Sequence, residues 1–239
     1  SASWNGAVLD IDRLSSQINT GTLQASGRLN LAPDSSDAYS DLTATWLVED
    51  IHTLGPLLGL ETLALPRGNV DLQIYGLPGQ LDAQLRVSLS DVTVDDVRLF
   101  AIDASAWMLL DRTFLPVSTT ATLDMGYAAF PGLALQSSSL QIDQQGEIFS
   151  ATAQTSVDSD NSLAISAQVN PFADRPEGIL SRLDLVLGGA PFVLRRPVSL
   201  EIDEGWQMSP LEIRAADQQL SLAGRFSDQD GYAVRLDMA

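Results

Sequence analysis

The chain has 239 residues, of which 45% are hydrophobic, a composition that excludes an intrinsically disordered tail. Asp and Glu number 31 against 13 basic residues, all of them Arg, and the net charge of −18 makes nucleic acid and anionic membrane surfaces poor partners. The sequence has no Cys and one His, which excludes disulfides, thiolate chemistry and multi-histidine metal sites.

Strict alternation of apolar and polar residues is the dominant pattern, and it predicts about fifteen β-strands. The clearest runs, in chain order, are 22–31, 70–75, 81–89, 117–125, 163–169, 198–202, 220–226 and 232–238. Turn sequences such as Pro78-Gly79 and Gly188-Gly189 separate the runs. The intervals are too short for the helices that parallel strands require, so the pattern predicts antiparallel pairing.

Two short helices are also predicted. The first begins at Asp50 and ends near Leu58, where Gly55 and Pro56 shorten it. The second begins with a capping-box-like pair at Asp174 and Glu177, followed by apolar residues at helical spacing: Ile179, Leu180 and Leu183. Neither helix is long enough to cover a sheet of this size.

Each predicted strand has one apolar face, and that face must be covered. A second sheet could cover it, giving a β-sandwich or barrel. Alternatively, one elongated, curved sheet could form an open, taco-like groove that holds an apolar ligand. The predicted fold class is therefore all-β and mainly antiparallel, with a groove or a sandwich as the two architectures.

An internal repeat suggests how the strands are organised. Leu14 is followed nine residues later by Leu23 and then by Gly27-Arg28; Leu211 is followed at the same intervals by Leu220 and Gly224-Arg225. Such self-similarity is typical of elongated arrays of stacked units. We therefore expect one elongated β domain over 1–239, with possible sub-units 1–125 and 126–239, that is a segment of a longer repetitive protein.

Several of these features together resemble a known family. The features are strands containing Gly-Arg, acidic turns, and a predicted short helix leading into Leu-Pro-Arg-Gly-Asn-Val-Asp-Leu-Gln-Ile-Tyr-Gly at 65–76. They are similar to the TamB branch of the AsmA-like bacterial envelope proteins, best over 49–108 and next best over 200–238.

This resemblance implies a mostly β, groove-shaped protein that is anchored in the inner membrane and crosses the periplasm. The groove would carry phospholipid toward the outer membrane, and the parent protein would work with an outer-membrane barrel partner in outer-membrane protein assembly. Neither the membrane anchor nor the barrel-binding region is identifiable in this sequence.

A groove would be lined by the apolar faces of the strands. The predicted lining residues are Leu72, Ile74, Leu81, Leu85, Val87, Leu89, Leu123 and Leu222. Each acyl methylene buried against them gains about 0.8 kcal/mol. Such binding needs no catalytic residue, metal or cofactor, so the sequence predicts a protein that is not an enzyme.

Three other functions remain open. The sheet edges could pair with unfolded outer-membrane strands, as in a scaffold or chaperone that acts by β-augmentation. The apolar faces could instead seal one another in a structural or adhesive β-sandwich of an exported protein. A hydrolase on a β scaffold is the last and least favoured of the three.

Catalytic and metal-binding patterns are weak. His52 adjoins a predicted helix cap, where a surface role is favoured over that of a general base. Asp158 to Ser162 lacks the Gly and Glu of a calcium loop and is interpreted as an acidic turn. Asp95 and Asp96 would point to opposite faces of a strand unless the backbone turns there. The four Trp are scattered, which favours packing roles over a carbohydrate platform.

Overall fold

The computed structural model describes residues 2–4, 7–18, 20–32, 39–49, 63–64, 67–111, 113–173, 175–202, 205–215, 218–227 and 231–238. The predicted all-β, antiparallel fold class is confirmed: within these ranges the regular structure is β-strand, and no helix occurs. The chain divides into unit 1, Ser1–Ala134, and unit 2, Leu135–Ala239. The predicted division at 125/126 falls inside a strand, Pro116–Phe130.

Unit 1 contains nine of the described strands. They are β1 (Ala2–Trp4), β2 (Val8–Ile18), β3 (Gly21–Asn30), β4 (Ser40–Val48), β5 (Leu63–Ala64), β6 (Gly68–Leu77), β7 (Gln80–Val94), β8 (Val97–Leu110) and β9 (Pro116–Phe130). Each pairs with the next in an antiparallel meander, except that β4 pairs with β6 and the two-residue β5 pairs with β7. The described strands of unit 1 therefore belong to one sheet rather than to the two sheets of a sandwich.

β10 (Leu133–Leu135) lies at the division between the units. The strands of unit 2 are β11 (Ser137–Gln145), β12 (Ile148–Ser156), β13 (Ser162–Asn170), β14 (Glu177–Leu187), β15 (Ala190–Leu194), β16 (Val198–Ile202), β17 (Gly205–Ala215), β18 (Gln218–Ser227) and β19 (Gly231–Met238). They form a second antiparallel meander, in which β14 pairs with both β15 and β16, and both of these pair with β17.

The sheet of unit 1 has one apolar and one polar face, because residues directly opposite each other on paired strands share a face. One row on the apolar face consists of Ala44, Leu72, Leu85, Ala106 and Ala121. The adjacent row on the polar face consists of Thr45, Asp71, Arg86, Ser105 and Thr122. Hydroxyl groups bridge this polar row, with Thr45 Oγ1 donating to Asp71 Oδ1 at 2.8 Å.

The predicted helix from Asp174 to Leu183 is wrong. Residues 177 onward form β14, and Asp174 itself lies outside the described residues. The helix-like spacing arises from a β-bulge: Arg182 pairs with Ser166 and Leu180 pairs with Ala167, which leaves Ser181 as the extra residue. The bulge interrupts the two-residue period of the strand, so its apolar residues imitate helical spacing. The other predicted helix, 50–58, lies outside the described residues.

The internal repeat forms two matching hairpins, β2–β3 and β17–β18. All nine residue pairs of the first have counterparts in the second at one constant offset; for example, Leu14–Ala25 corresponds to Leu211–Leu222. Both hairpins are bulged at the same place, where Asp12-Arg13 is the counterpart of Ser209-Pro210. The shared register and bulge support a true structural repeat.

Candidate functional site

Seven of the eight predicted groove residues lie on the apolar face of unit 1. On paired strands Leu72 lies opposite Leu85, and Val87 lies opposite Ala104, which in turn lies opposite Leu123. The remaining members of this set, on β6 and β7, are Ile74, Leu81 and Leu89. Leu222 is separate, because it lies on β18 of unit 2 opposite Leu211 and Leu236. The structure therefore brings together all of the predicted residues except Leu222.

Burial along β7 distinguishes the ends of this face from its middle. At one end Leu81 is 1% exposed and Ala83 is 4% exposed, and near the other end Val92 is 7% exposed. Between them, Leu85 and Val87 are only half-buried. The middle of the strand thus presents apolar side chains that the protein itself covers incompletely.

β4 repeats the same pattern two strands away. Leu42 and Val48 are buried, whereas Ala44 and Trp46 between them are half-buried. We call the incompletely covered middle the central strip. It consists of Ala44, Trp46, Val70, Leu72, Leu85, Val87, Ala104, Ala106, Ala121 and Leu123. With a strand spacing of about 4.8 Å, the strip extends roughly 19 Å across β4, β6, β7, β8 and β9.

A small core closes one end of the central strip. Val48 and Val92 are its buried members, and partly buried side chains pack around them: Trp46, Val70, Leu89, Val94, Leu99 and Ile102. In a regular strand Val92 would face away from Leu89. The pairing of β7 with β8 is interrupted at Ala101, whose φ is +51°, and resumes with Asp91 opposite Phe100 and Val92 opposite Leu99. This irregularity allows Val92 to pack against the apolar side.

Three side-chain polar atoms of the described residues are buried without a hydrogen-bond partner: Trp46 Nε1, Asn69 Oδ1 and Asp91 Oδ1. Trp46 is the one that belongs to the central strip. Its indole Nε1 is buried, and none of the residues that the structure describes accepts a hydrogen bond from it. Its neighbours opposite on β3 and β6 are Leu23 and Val70. Leaving such a donor unpaired costs about 1–3 kcal/mol. The scattered positions of the Trp residues predict packing roles for them. The cross-strand register, which places Trp46 between two apolar neighbours, is the signal that distinguishes it.

The polar face holds the charged groups. Arg28 Nε and Nη2 donate to the two carboxylate oxygens of Asp10 at 2.6 and 3.0 Å. Hydrogen bonding from Arg28 is the main reason why the pKa of Asp10 lies below its usual value. At the bulge of β2 this face has a polar depression of about 280 Å³, lined by Asp12, Arg13, Leu14, Gln24, Ala25, Ser26, Thr43 and Thr45. None of the predicted groove residues lines it.

The other candidates that the structure describes lie apart from one another in exposed turns. Asp95 and Asp96 are exposed in the turn between β7 and β8, where Asp95 has a φ of +50°. Asp158 is in the predicted acidic turn: its carboxylate accepts hydrogen bonds from Asp160 N and Asn161 Nδ2, both at 2.8 Å, and these bonds lower its pKa. His52 lies outside the described residues. No group of three or more potential metal ligands occurs within the described ranges.

The chain matches no protein-family model, no curated protein and no solved structure. Across the part of the chain that the structure describes, no helix has the length and apolar character needed to span a membrane.

Proposed function

We propose that unit 1 binds the acyl chains of phospholipid along the central strip. The supporting observation is the pattern of burial: one continuous apolar face has buried side chains near both ends and half-buried side chains in the middle. A face whose middle is incompletely covered can gain further apolar burial only from a ligand or a partner. An acyl chain supplies a flexible, unbranched apolar surface for that purpose.

The energetics favour a hydrocarbon ligand over a polar one. Every member of the central strip is apolar apart from the indole nitrogen of Trp46, and each methylene buried there gains about 0.8 kcal/mol. Burying a charged ligand group against such residues would be costly without a partner. The charged residues Asp71 and Arg86 lie on the opposite face, where they favour solvation of the sheet.

In the wider proposal, the chain belongs to a periplasmic, inner-membrane-anchored protein of lipid transport and outer-membrane biogenesis. The resemblance of its sequence to the TamB branch supports this role, as does the matched pair of bulged hairpins, which is typical of a repetitive β array. The partners would be phospholipid and an outer-membrane barrel protein. The function requires no enzymatic step.

Lipid extraction tests the proposal directly. The chain is expressed with export to the periplasm of a Gram-negative host, purified without detergent, and its organic extract is analysed by mass spectrometry. We expect phospholipid to copurify with the parent chain, and Leu85→Arg to lose at least about 90% of it, because the new charge lies in the central strip.

Gln73→Arg is the matched control, since it adds the same charge at an exposed position on the polar face of β6. It is expected to retain lipid at the parental level. The absence of phospholipid from the folded parent chain, or equal retention by Leu85→Arg and the parent, would contradict the proposal. Far-UV circular dichroism establishes that the compared proteins are folded.

A further inference from the structure

We propose that the far ends of β7, β8 and β9 form a lid over one end of the central strip, and that the lid opens about a crease in the sheet to admit an acyl chain. This inference rests on the proposed function and adds to it the way in which the ligand enters. The lid consists of 91–100 and 127–129, and the crease consists of Ser90, Ala101 and Gly126.

The crease is a row of missing pairs across three neighbouring strands. β7 and β8 pair on both sides of Ser90 and Ala101, but these two residues do not pair with each other, and Ala101 does not pair with Gly126. The backbone N–H and the hydroxyl of Ser90 donate instead to the carbonyl oxygen of Arg67, at 3.4 and 3.3 Å. The ladder is therefore interrupted at the same level on all three strands.

The inward face of the strands changes phase at the crease. On β7 both Leu89 and Val92 pack into one core although they are three residues apart, whereas a regular strand repeats every two residues. Ile102 and Leu99 do the same on β8. Ala128 lies opposite Leu99 on β9 and is 0% exposed. The lid thus turns a new set of side chains toward the apolar face.

The lid covers the end of the central strip that lies nearest to it. Val92 and Leu99 of the lid pack in one core with Trp46 and Val70, which are members of the strip. While the lid is closed, an acyl chain cannot replace these contacts. When the lid opens, hydrocarbon of the ligand can take the place of hydrocarbon of the lid, so the exchange desolvates no polar group.

The backbone at the crease has the properties of a hinge. Ala101 has a φ of +51°, a left-handed conformation that is strained for a residue with a β-carbon. Gly126 is its close neighbour, and a β-carbon at Gly126 would lie 3.1 Å from that of Ala101. Strained residues persist where surrounding packing holds them. Release of the lid would let Ala101 relax, which offsets part of the cost of opening.

The outer side of the lid is polar. Asp95 and Asp96 form the turn at its tip, and Arg98 follows on β8; all three are exposed. These charged groups are hydrated in the closed lid and can stay hydrated in an open one. Opening therefore moves only the apolar side of the lid into a new environment.

An engineered disulfide tests the lid, since the chain has no Cys of its own. Val48→Cys combined with Val92→Cys would join the lid to β4, because both side chains are buried in the same core. The assay is uptake of a fluorescent phosphatidylcholine from vesicles by the whole chain. We expect uptake by the oxidised form to be at least about tenfold slower than by the reduced form.

The matched control is Ser138→Cys combined with Thr155→Cys. The two hydroxyl oxygens are 2.7 Å apart across β11 and β12 of unit 2, so this disulfide crosslinks the chain away from the lid. Uptake by its oxidised and reduced forms should agree within about twofold.

A second pair of variants loosens the lid instead of fixing it. Val92→Ala removes inward packing atoms, and we expect it to accelerate uptake about three- to tenfold. Thr93→Ala changes the next residue of β7, on the outer side, and should leave the rate at the parental value. Far-UV circular dichroism establishes that both variants are folded.

Equal uptake by the oxidised and reduced forms of the Val48→Cys, Val92→Cys chain would overturn the inference, as would failure of the two thiols to join. Uptake by Val92→Ala that is no faster than uptake by Thr93→Ala would also overturn it. A parent chain that takes up no phospholipid would contradict the proposed function itself. Unchanged rates in the variants of a lipid-binding parent would overturn the lid alone.

Discussion

The ends and the middle of the apolar face in unit 1 are built from the same residue types but are covered differently. Leu81 and Leu85 are both leucines of β7, four residues apart on one face, yet Leu81 is 1% exposed and Leu85 is half-buried. The difference separates two roles that hydrophobic residues can have. Buried end residues stabilise the fold, whereas half-buried residues of the central strip have apolar area left with which to bind a ligand.

The largest effect is expected at the buried end of β7. Leu81→Ala should lower the free energy of unfolding by about 2–5 kcal/mol, because it removes a fully buried side chain and leaves a cavity. Chemical denaturation measures the loss. Leu123→Ala is the comparison variant: this side chain is 37% exposed, so we expect a loss below about 1 kcal/mol. Equal losses in the two variants would remove the distinction between end and middle.

A backbone change at the same end is expected to have the next largest effect. Gly27 lies opposite the buried Leu42 with a φ of +115°, and a β-carbon there would collide with the carbonyl oxygen of Asp41. Gly27→Ala should therefore destabilise the protein by about 1–3 kcal/mol in thermal or denaturant unfolding. Gly132→Ala is the control for backbone strain alone. Gly132 also has a positive φ, of +79°, but a β-carbon there would meet only open space. A smaller loss for Gly27→Ala than for Gly132→Ala would contradict the role of close strand approach.

Within the central strip, in contrast to the buried end, we expect a substitution to weaken lipid binding more than it lowers stability. Leu72→Ala should cost about 1 kcal/mol of stability, because only part of the side chain is buried. It should weaken binding of a fluorescent phospholipid several-fold, since the removed atoms would contact the acyl chain. Leu81→Ala, assayed while folded, should leave this affinity nearly unchanged. A larger affinity loss for Leu81→Ala than for Leu72→Ala would contradict the division of roles.

The smallest effect is expected on the polar face, at the ion pair between Arg28 and Asp10. Since the pKa of Asp10 is lowered in the folded protein, the contribution of this pair is present above about pH 4 and is lost as the pH falls through the folded pKa. An NMR titration of the Asp10 carboxyl group measures this. In Arg28→Gln its pKa should return toward the ordinary value, with little change in stability near neutral pH because both side chains are exposed. An unchanged titration would show that Arg28 does not cause the shift.

The sequence predicted the strands and their faces well, because alternation directly encodes which side chains share a face. It placed Leu72, Leu85, Val87 and Leu123 in one group, and the register confirms that they share one face of unit 1. Alternation failed where the backbone departs from a two-residue period. The bulge at Ser181 was mistaken for a helix for this reason, and the left-handed conformation of Ala101 left no signal in the sequence.

The alternation of apolar and polar residues also did not predict how deeply each apolar side chain is buried. Leu81 and Leu85 occupy equivalent places in the alternation, so their different burial depends on tertiary packing alone. Trp46 was missed for a related reason, since an unpaired donor becomes visible only when its neighbours are known. The alternation thus predicted which face of the sheet is apolar, whereas tertiary packing determined which part of that face is left partly exposed.

The two bulged hairpins share all nine residue pairs although their polar side chains differ, with Gln207 standing where Asp10 stands. Duplicating such a ribbon adds two strands, or about 9.6 Å, in the direction across the sheet. It does so without disturbing the alternation of faces, since the register and the bulge are the same in both copies. Gene duplication could therefore extend an apolar surface in fixed increments of two strands. Proteins with different numbers of hairpins could then span different distances without a new fold.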